Sequence, residues 1–301
     1  MHPELMAILA ADLPEQDDAG SLTNALYRRC YMRSILDPAP AVPEGAADRD
    51  LTAALIAANA SRAAWDEGWR IDQLLEEGRI LARKGGAARS FLPGEYLTHR
   101  GLGIGPQAGK PVSIFLPEGS ADLQPGFYHA FGETAGECEE GEQTLRFYWN
   151  VSAEGAPQLM EAVTRDFNRF QVAFQFKCGT REAHYPRRDA AVLYVQRRYY
   201  AIAALLVERV QTRLQAWLNP GTPLFARRLA DGLGFAEDPG ESFGKHRCKI
   251  LAEAMAATRG QPAEERLAEV RRQFERRGLS LDRSWLNAGS LDRYPFPFPV
   301  V

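Results

Sequence analysis

Residues 146–178, RFYWNVSAEGAPQLMEAVTRDFNRFQVAFQFKC, contain the pattern that decides the fold. A run of β-forming residues is followed by a helical stretch with apolar side chains at Leu159, Val163 and Phe167, and then by the alternating stretch VAFQFK. The i, i+4, i+8 spacing predicts a helix with one buried face, and the period-two alternation predicts a strand with one face in the core. The strand–helix–strand order therefore predicts a sheet covered by helices.

The segments on either side extend this pattern. The first 65 residues are predicted to be helical, and short β-forming runs separated by glycine and proline follow from Trp69. Further helices are predicted over residues 197–218, 245–258 and 262–277, and loops over 87–110 and 219–244. The order predicts an α+β fold with a helical N-terminal part, a central, mostly antiparallel sheet packed with helices, and a helical C-terminal part. We expect a helical N-terminal subdomain over residues 1–65 and an α+β domain over residues 66–301.

Composition excludes several classes of protein. The chain has 301 residues, of which 45% are hydrophobic and 25% charged, which is typical of a globular protein. No stretch approaches the roughly 20 apolar residues of a membrane span, and the first residues lack the basic start of a signal peptide. The four cysteines are scattered and match no zinc spacing, which favours reduced thiols in the cytoplasm. We expect neither a membrane nor a nucleic acid as partner, since no dense basic stripe is present.

Charge is distributed unevenly along the chain. Residues 1–150 contain 13 basic and 22 acidic side chains, whereas residues 151–301 contain 23 basic and 17 acidic ones. The second half is therefore the half that can attract an anion. Only five of the 36 basic residues are lysines, so a lysine in a chemically interesting place merits attention.

The first candidate cluster lies between two predicted strands. Lys177 ends one strand, and the loop that follows contains His184, Tyr185, Arg187, Arg188 and Asp189. Paired arginines can bind a phosphate through bidentate hydrogen bonds. The alternative is a solvated, charged loop with an Arg–Asp pair.

The second cluster, residues 236–248, places Lys245, His246 and Arg247 at the start of a predicted helix. Backbone N–H groups at a helix N-terminus bind anions, and a bound anion would explain cations at an end where the helix dipole disfavours them. The alternative is that Asp238 or Ser242 caps the helix and the cations are solvated.

A third cluster consists of Asn150 and Asn168, which flank the predicted helix after residue 150 and have the chemistry to orient a substrate. The plain alternative is a strand end and a helix C-terminal asparagine.

The string quoted above, together with YPRRDAAVLYV (185–195) and TPLFARRLADGLGFAEDPGESFGKHRCKILAEAM (222–255), resembles the HopA-type type III effector family. AANASRAAWDEGW (57–69) and QPGFYHAFG (124–132) resemble the same family, so that the resemblance covers about residues 50–258. Relatives occur in gene clusters for modified ribosomal peptides, which fits this chain better than the secreted branch because its sequence is helical nearly from the start.

The resemblance implies a lyase of class V lanthipeptide and thioamitide synthesis. A separate kinase phosphorylates Ser or Thr of a precursor peptide, and the HopA-like partner eliminates the phosphate to leave dehydroalanine or dehydrobutyrine. No metal, nucleotide or other cofactor is implied. The alternative function is a non-catalytic effector, or a binding subunit that presents the peptide.

Elimination requires a base for the α-proton, cations for the phosphate and an acid for the departing oxygen. By analogy with phosphothreonine lyases that pair a lysine base with a histidine acid, we assign Lys177 as base and His246 as acid. The remaining assignments are a phosphate clamp of Arg188 and Arg247 with Arg187 and Lys245, and substrate-orienting side chains of Asn150, Asn168 and Tyr185.

Overall fold

The computed structural model describes residues 3–11, 19–37, 48–85, 87–98, 105–136 and 142–297. The α-helices in these ranges are α1 (Pro3–Ala10), α2 (Ala19–Leu26), α3 (Thr52–Ala58), α4 (Ala156–Arg169), α5 (Tyr200–Leu214), α6 (Phe243–Ala257) and α7 (Ala263–Glu275). The strands are β1 (Ala64–Leu74), β2 (Ile80–Lys84), β3 (Ala87–Phe91), β4 (Tyr96–Thr98), β5 (Pro111–Leu116), β6 (Gly119–Ser120), β7 (Phe127–Phe131), β8 (Thr144–Trp149), β9 (Phe174–Gly179), β10 (Ala191–Gln196), β11 (Arg227–Ala230) and β12 (Leu233–Glu237).

The strands form two antiparallel sheets. The larger has seven strands in the order β11-β12-β8-β10-β9-β7-β6, and the smaller has five in the order β3-β2-β1-β5-β4. The prediction of an α+β fold with helices at both ends is confirmed, but the described strands are divided between two sheets rather than one.

One face of the seven-stranded sheet packs mainly against helices, and Leu286 and Tyr294 of the C-terminal segment join the same cluster. Alternating side chains such as Phe147, Trp149, Phe176 and Leu193 have no exposed surface, and they share a hydrophobic cluster with residues of α4 and α5. The structure shows the alternation predicted for VAFQFK. Phe174, Phe176 and Cys178 of β9 enter the core, while Gln175 and Lys177 lie on the opposite face.

The opposite face is covered only over part of its width. Tyr148, Val192 and Ala236 from the β12-β8-β10 side share a second cluster with residues of α1, α2, α6 and α7. The helices from the two ends of the chain therefore pack together on this face. Towards β9 and β7 the same face bears polar side chains, and here the five-stranded sheet forms an opposing wall.

The five-stranded sheet has a small core of its own, centred on Trp69, Ile80 and Ile114. β1 and β2 are joined by a short turn at Glu76–Gly78. Among the helices of the described ranges, none has the length and apolar character needed to cross a membrane.

Two loop predictions are wrong. The described part of residues 87–110 contains β3 and β4, and residues 219–244 contain β11 and β12. Both segments have enough glycine or proline to be interpreted as loops, yet β12 pairs with β8 inside the sheet, where its hydrogen bonds and its buried Phe235 outweigh local preference.

Replacement of Phe235 by alanine tests this correction. The Phe235 ring has no exposed surface and lies 4.8 Å from the ring of Tyr294 and 5.3 Å from that of Phe147, between centroids. We expect Phe235→Ala to lower the free energy of unfolding in urea by about 3–5 kcal/mol. Arg228→Ala, at an exposed position of the same hairpin, should change it by less than about 0.5 kcal/mol. A loss below about 1 kcal/mol for Phe235→Ala would contradict its central place in the sheet.

Candidate active site in the cleft between the sheets

A cleft of about 750 Å³ lies between the uncovered part of the seven-stranded sheet and the five-stranded sheet. Its floor is formed by side chains of β7, β9 and β10, including His129, Lys177 and Tyr194. Arg89 and Phe91 of β3 form part of the opposing wall. The volume is that of a typical small-ligand site, and a mixture of apolar walls with a few polar groups is usual in such sites.

Lys177 is the cation at the centre of the floor. Its amine donates a hydrogen bond to Oε1 of Gln124 at 3.0 Å. The same Nζ lies 4.6 Å from the centroid of the Phe127 ring and 5.6 Å from that of Tyr194. An ammonium at these distances from aromatic faces is attracted by the ring quadrupoles. The amine is therefore held in place by one amide and two rings, and no carboxylate of the described residues forms an ion pair with it.

Two arginines lie near the same rings. The guanidinium carbon of Arg146 lies 5.1 Å from the Tyr194 centroid, and that of Arg187 lies 5.4 Å from the Phe127 centroid. The result is an alternating row, Arg187–Phe127–Lys177–Tyr194–Arg146, which we call the cation–aromatic row. It brings three basic side chains together beside the floor of the cleft.

Each arginine of the row is held by a carboxylate. Nη2 of Arg146 donates to Oδ1 of Asp238 at 2.8 Å. Arg187 donates from Nε and Nη2 to the two carboxylate oxygens of Asp189 at 2.8 and 2.9 Å. The predicted Arg–Asp pair in this loop is therefore present, but it is largely buried rather than solvated. The bidentate geometry fixes the guanidinium beside Phe127.

Burial and charge together lower the pKa of Lys177. Removal of the amine from water disfavours its charged form and is the largest cause, while Arg146 and Arg187 add repulsion. Asp189 and Asp238 act in the opposite direction, and the pKa settles at about 8, below the 10.5 of an ordinary lysine. Part of the Lys177 population is therefore neutral near physiological pH and able to accept a proton.

His129 is the cross-strand partner of Lys177 and is 4% exposed. Burial, with a smaller effect of the Lys177 charge, lowers the pKa of His129 to about 4, so the ring is neutral at pH 7. Its Nδ1 lies 2.8 Å from Nε2 of Gln175, while its Nε2 has no hydrogen-bond partner. We assign the Gln175 amide as the donor to Nδ1 in this contact. The hydrogen of the neutral ring is then on Nε2.

Of the sequence-predicted residues, Lys177 lines the cleft and Arg187 belongs to the same row. Arg188 does not reach this site. Arg188 is 8% exposed, and its guanidinium donates to Glu4 at 2.7 Å and to Asp37 at 2.9 Å, which joins the N-terminal segment to the loop after β9. Arg188 therefore does not lie where the predicted phosphate clamp requires it, and two carboxylates neutralise its charge.

The second cluster lies outside the cleft. Arg247 is fully buried and donates to the backbone oxygens of Ser284 and Leu286, both at 2.9 Å, which fastens α6 to the segment after α7. His246 contacts Arg247 through Nδ1, and Lys245 is exposed. Ser242 caps the helix by accepting from the backbone N–H of Lys245, as the plain alternative expected. The prediction that Lys245, His246 and Arg247 share one site with Lys177 is therefore wrong.

The side chains predicted to orient the substrate form hydrogen bonds within the protein instead. Asn150 donates to Pro220 O at 2.8 Å, and Asn168 accepts from the backbone N–H of Glu133 and donates to Ser61. The Tyr185 hydroxyl donates to Gly179 O at 2.6 Å. These contacts are structural, and none of the three residues lines the cleft.

Sequence reasoning missed His129, Arg146 and Arg89. Arg146 and His129 both lie in predicted strands, but the pairing of β7 with β9 and of β10 with β8 brings them to Lys177 from distant parts of the chain. The only local signal was the strand alternation at each position. Within the described ranges, no group of three His, Cys, Asp or Glu side chains has the arrangement needed to hold a metal ion.

Comparison with known proteins matches residues 119–286 to the model of the HopA1 effector protein family. This is more than half of the chain and includes the whole cation–aromatic row. Among curated proteins, no match was found.

Two similar solved structures are effector proteins of Pseudomonas syringae. The protein from pathovar tomato strain DC3000 is 22% identical, with a TM-score of 0.43 over 54% of this chain and 62% of that one. The protein from pathovar syringae strain 61 is 21% identical, with a TM-score of 0.42 over 56% of this chain and 66% of that one. This chain thus covers less than two thirds of either effector.

Proposed function

The chain belongs to the HopA1 effector family, and from this premise we propose that it is a lyase that eliminates phosphate from phosphoserine or phosphothreonine of a precursor peptide. The product is dehydroalanine or dehydrobutyrine, and a separate peptide kinase supplies the phosphorylated substrate. The observation that supports this proposal is the amine of Lys177, which lies in a cleft of about 750 Å³ near two arginines, with its pKa lowered to about 8.

The reaction balances with groups that the cleft contains. Neutral Lys177 takes the α-proton, the electron pair of the Cα–H bond forms the Cα=Cβ bond, and the Cβ–O bond breaks with its pair leaving on phosphate. Nothing is oxidised or reduced, and no co-substrate is consumed. The resulting ammonium later releases its proton to water, which restores the base.

Positive charge favours departure of the phosphate. Arg89 lines the cleft from the wall opposite Lys177, whereas Arg146 and Arg187 lie near the two rings and contribute less because each is paired with a carboxylate. Charges arranged before the reaction stabilise the negative charge that develops on the leaving oxygen. Burial is the main cause of the low pKa of Lys177, and Arg146 and Arg187 add to it.

His129 is the better candidate than His246 for assisting the leaving oxygen. It lines the cleft beside Lys177, and its Nε2 is buried with no hydrogen-bond partner among the described residues. A neutral imidazole donates a hydrogen bond without adding a competing charge. We therefore propose His129 as the hydrogen-bond donor to the phosphate ester oxygen.

Removal of the Lys177 amine is the first test. We expect Lys177→Ala to reduce elimination from a phosphothreonine peptide by at least about 10²-fold, because no other amine lines the cleft in the described part of the chain. Lys177→Arg should be equally impaired, since arginine stays protonated. Lys249→Ala, on the exposed face of α6, should retain the wild-type rate. The rates are measured by mass spectrometry, with circular dichroism to verify folding. Near-wild-type elimination by folded Lys177→Ala would contradict the proposal and favour the binding-subunit alternative.

The pH dependence supplies an independent prediction. A base must be neutral to accept a proton, so kcat/KM should rise about tenfold per pH unit below a pKa of about 8 and then level. The phosphate group titrates near pH 6, at the foot of this limb, so the slope is taken between about pH 7 and pH 8. Initial rates between about pH 6.5 and pH 9.5 measure the profile. A flat profile above about pH 7 would exclude Lys177 as the rate-determining base.

Matched histidine variants distinguish the two candidates for the leaving-group donor. We expect His129→Phe to lower kcat by about tenfold or more, because the hydrogen bond to the ester oxygen is lost. His129→Gln, which retains a donor, should recover part of that loss, and His246→Phe should stay within about threefold of wild type. Steady-state kinetics at saturating peptide supply the comparison. A larger loss of kcat in His246→Phe than in His129→Phe would instead support His246 as the acid.

A further inference from the structure

β3 is an edge strand of the five-stranded sheet. It pairs with β2 from Lys84↔Ala87 to Ile80↔Phe91, and no described strand is hydrogen-bonded to its other side. An edge strand presents unpaired N–H and C=O groups that are able to pair with another extended chain.

The four sheet edges are not equivalent. β4 has three residues, β6 has two and β11 has four, whereas β3 has five and contains no proline. Short strands and proline are the usual means of protecting an edge. β3 is therefore the edge best suited to accept a strand among those that the structure describes.

The free edge lies at the cleft. Arg89, Ser90 and Phe91 of β3 line the same cavity as Lys177, from the opposing wall. Nη2 of Arg89 donates to the backbone oxygen of Gly136 at 3.0 Å, which joins β3 to the segment after β7. A chain that lies along β3 is thus held beside the floor that bears the proposed base.

We propose that the phosphopeptide binds in an extended conformation as a sixth strand on β3, with the phosphorylated side chain directed towards Lys177. Main-chain hydrogen bonds of such an added strand give affinity with little sequence dependence, and alternate side chains point to the same side. The phosphate then lies between two cations, Arg89 and Lys177. The inference rests on the proposed function for the identity of its ligand as a phosphopeptide.

β3 also lies outside residues 119–286, the part of the chain that matches the family model. The base and the peptide-binding edge therefore come from different parts of the chain.

Backbone N-methylation of the peptide tests the added strand directly. The probe is a fluorescent peptide of about nine residues with a central phosphonate in which CH₂ replaces the ester oxygen, so that elimination is blocked. We expect N-methylation at every second residue to weaken binding by about tenfold or more, and at the intervening residues by less than about threefold. Equal effects at all positions, or no binding of the unmethylated probe, would overturn the inference.

Photo-crosslinking locates the peptide on the protein. A benzoylphenylalanine at Ser90 should crosslink to the phosphonate peptide, whereas the same group at Leu97, exposed on the opposite edge strand β4, should not. Crosslinking at Ser90 without elimination of a true phosphopeptide would retain the binding site and reject the lyase proposal. Elimination without the period-two pattern or the Ser90 crosslink would reject the binding site and retain the lyase.

Discussion

The amine of Lys177 lies between two aromatic rings on the polar face of a sheet, and the rest of the site depends on this contact. Burial of an ammonium is costly unless other groups compensate for the lost water. Here Gln124 supplies one hydrogen bond and the rings of Phe127 and Tyr194 supply cation–π attraction. The compensation is partial, so the pKa falls to about 8 instead of remaining at 10.5. A carboxylate in direct contact would have raised the pKa and removed the basicity.

The fold provides this environment by covering the sheet unequally. α4 and α5 bury one face, whereas the helices from the two chain ends cover only the β12-β8-β10 side of the other. The remaining polar strip faces the five-stranded sheet across the cleft. Arg188, with Glu4 and Asp37, holds the N-terminal segment against this face. The role of Arg188 is therefore structural. Arg247 has a structural role as well, since it joins α6 to the backbone of Ser284 and Leu286.

The strand–helix–strand pattern was sufficient to predict the α+β fold and the side of β9 on which Lys177 lies, because both depend on local periodicity. The neighbours of Lys177 depend on strand register, and no local pattern specifies that His129 of β7 and Arg146 of β8 approach the same cleft. Arginines in particular mislead sequence reasoning. A pair such as Arg187 and Arg188 has the chemistry of a phosphate clamp, yet buried carboxylates and backbone oxygens satisfy the same donors.

The central claim is that the fold makes Lys177 a base near neutral pH, and an NMR titration tests it most directly. The chain contains only five lysines, so ¹³C labelling at lysine Cε gives a spectrum simple enough to follow each signal with pH. We predict one signal that titrates with a pKa of about 8 and is absent from the spectrum of Lys177→Arg. A wild-type spectrum in which no lysine titrates near 8, or in which that signal persists in Lys177→Arg, would contradict the account.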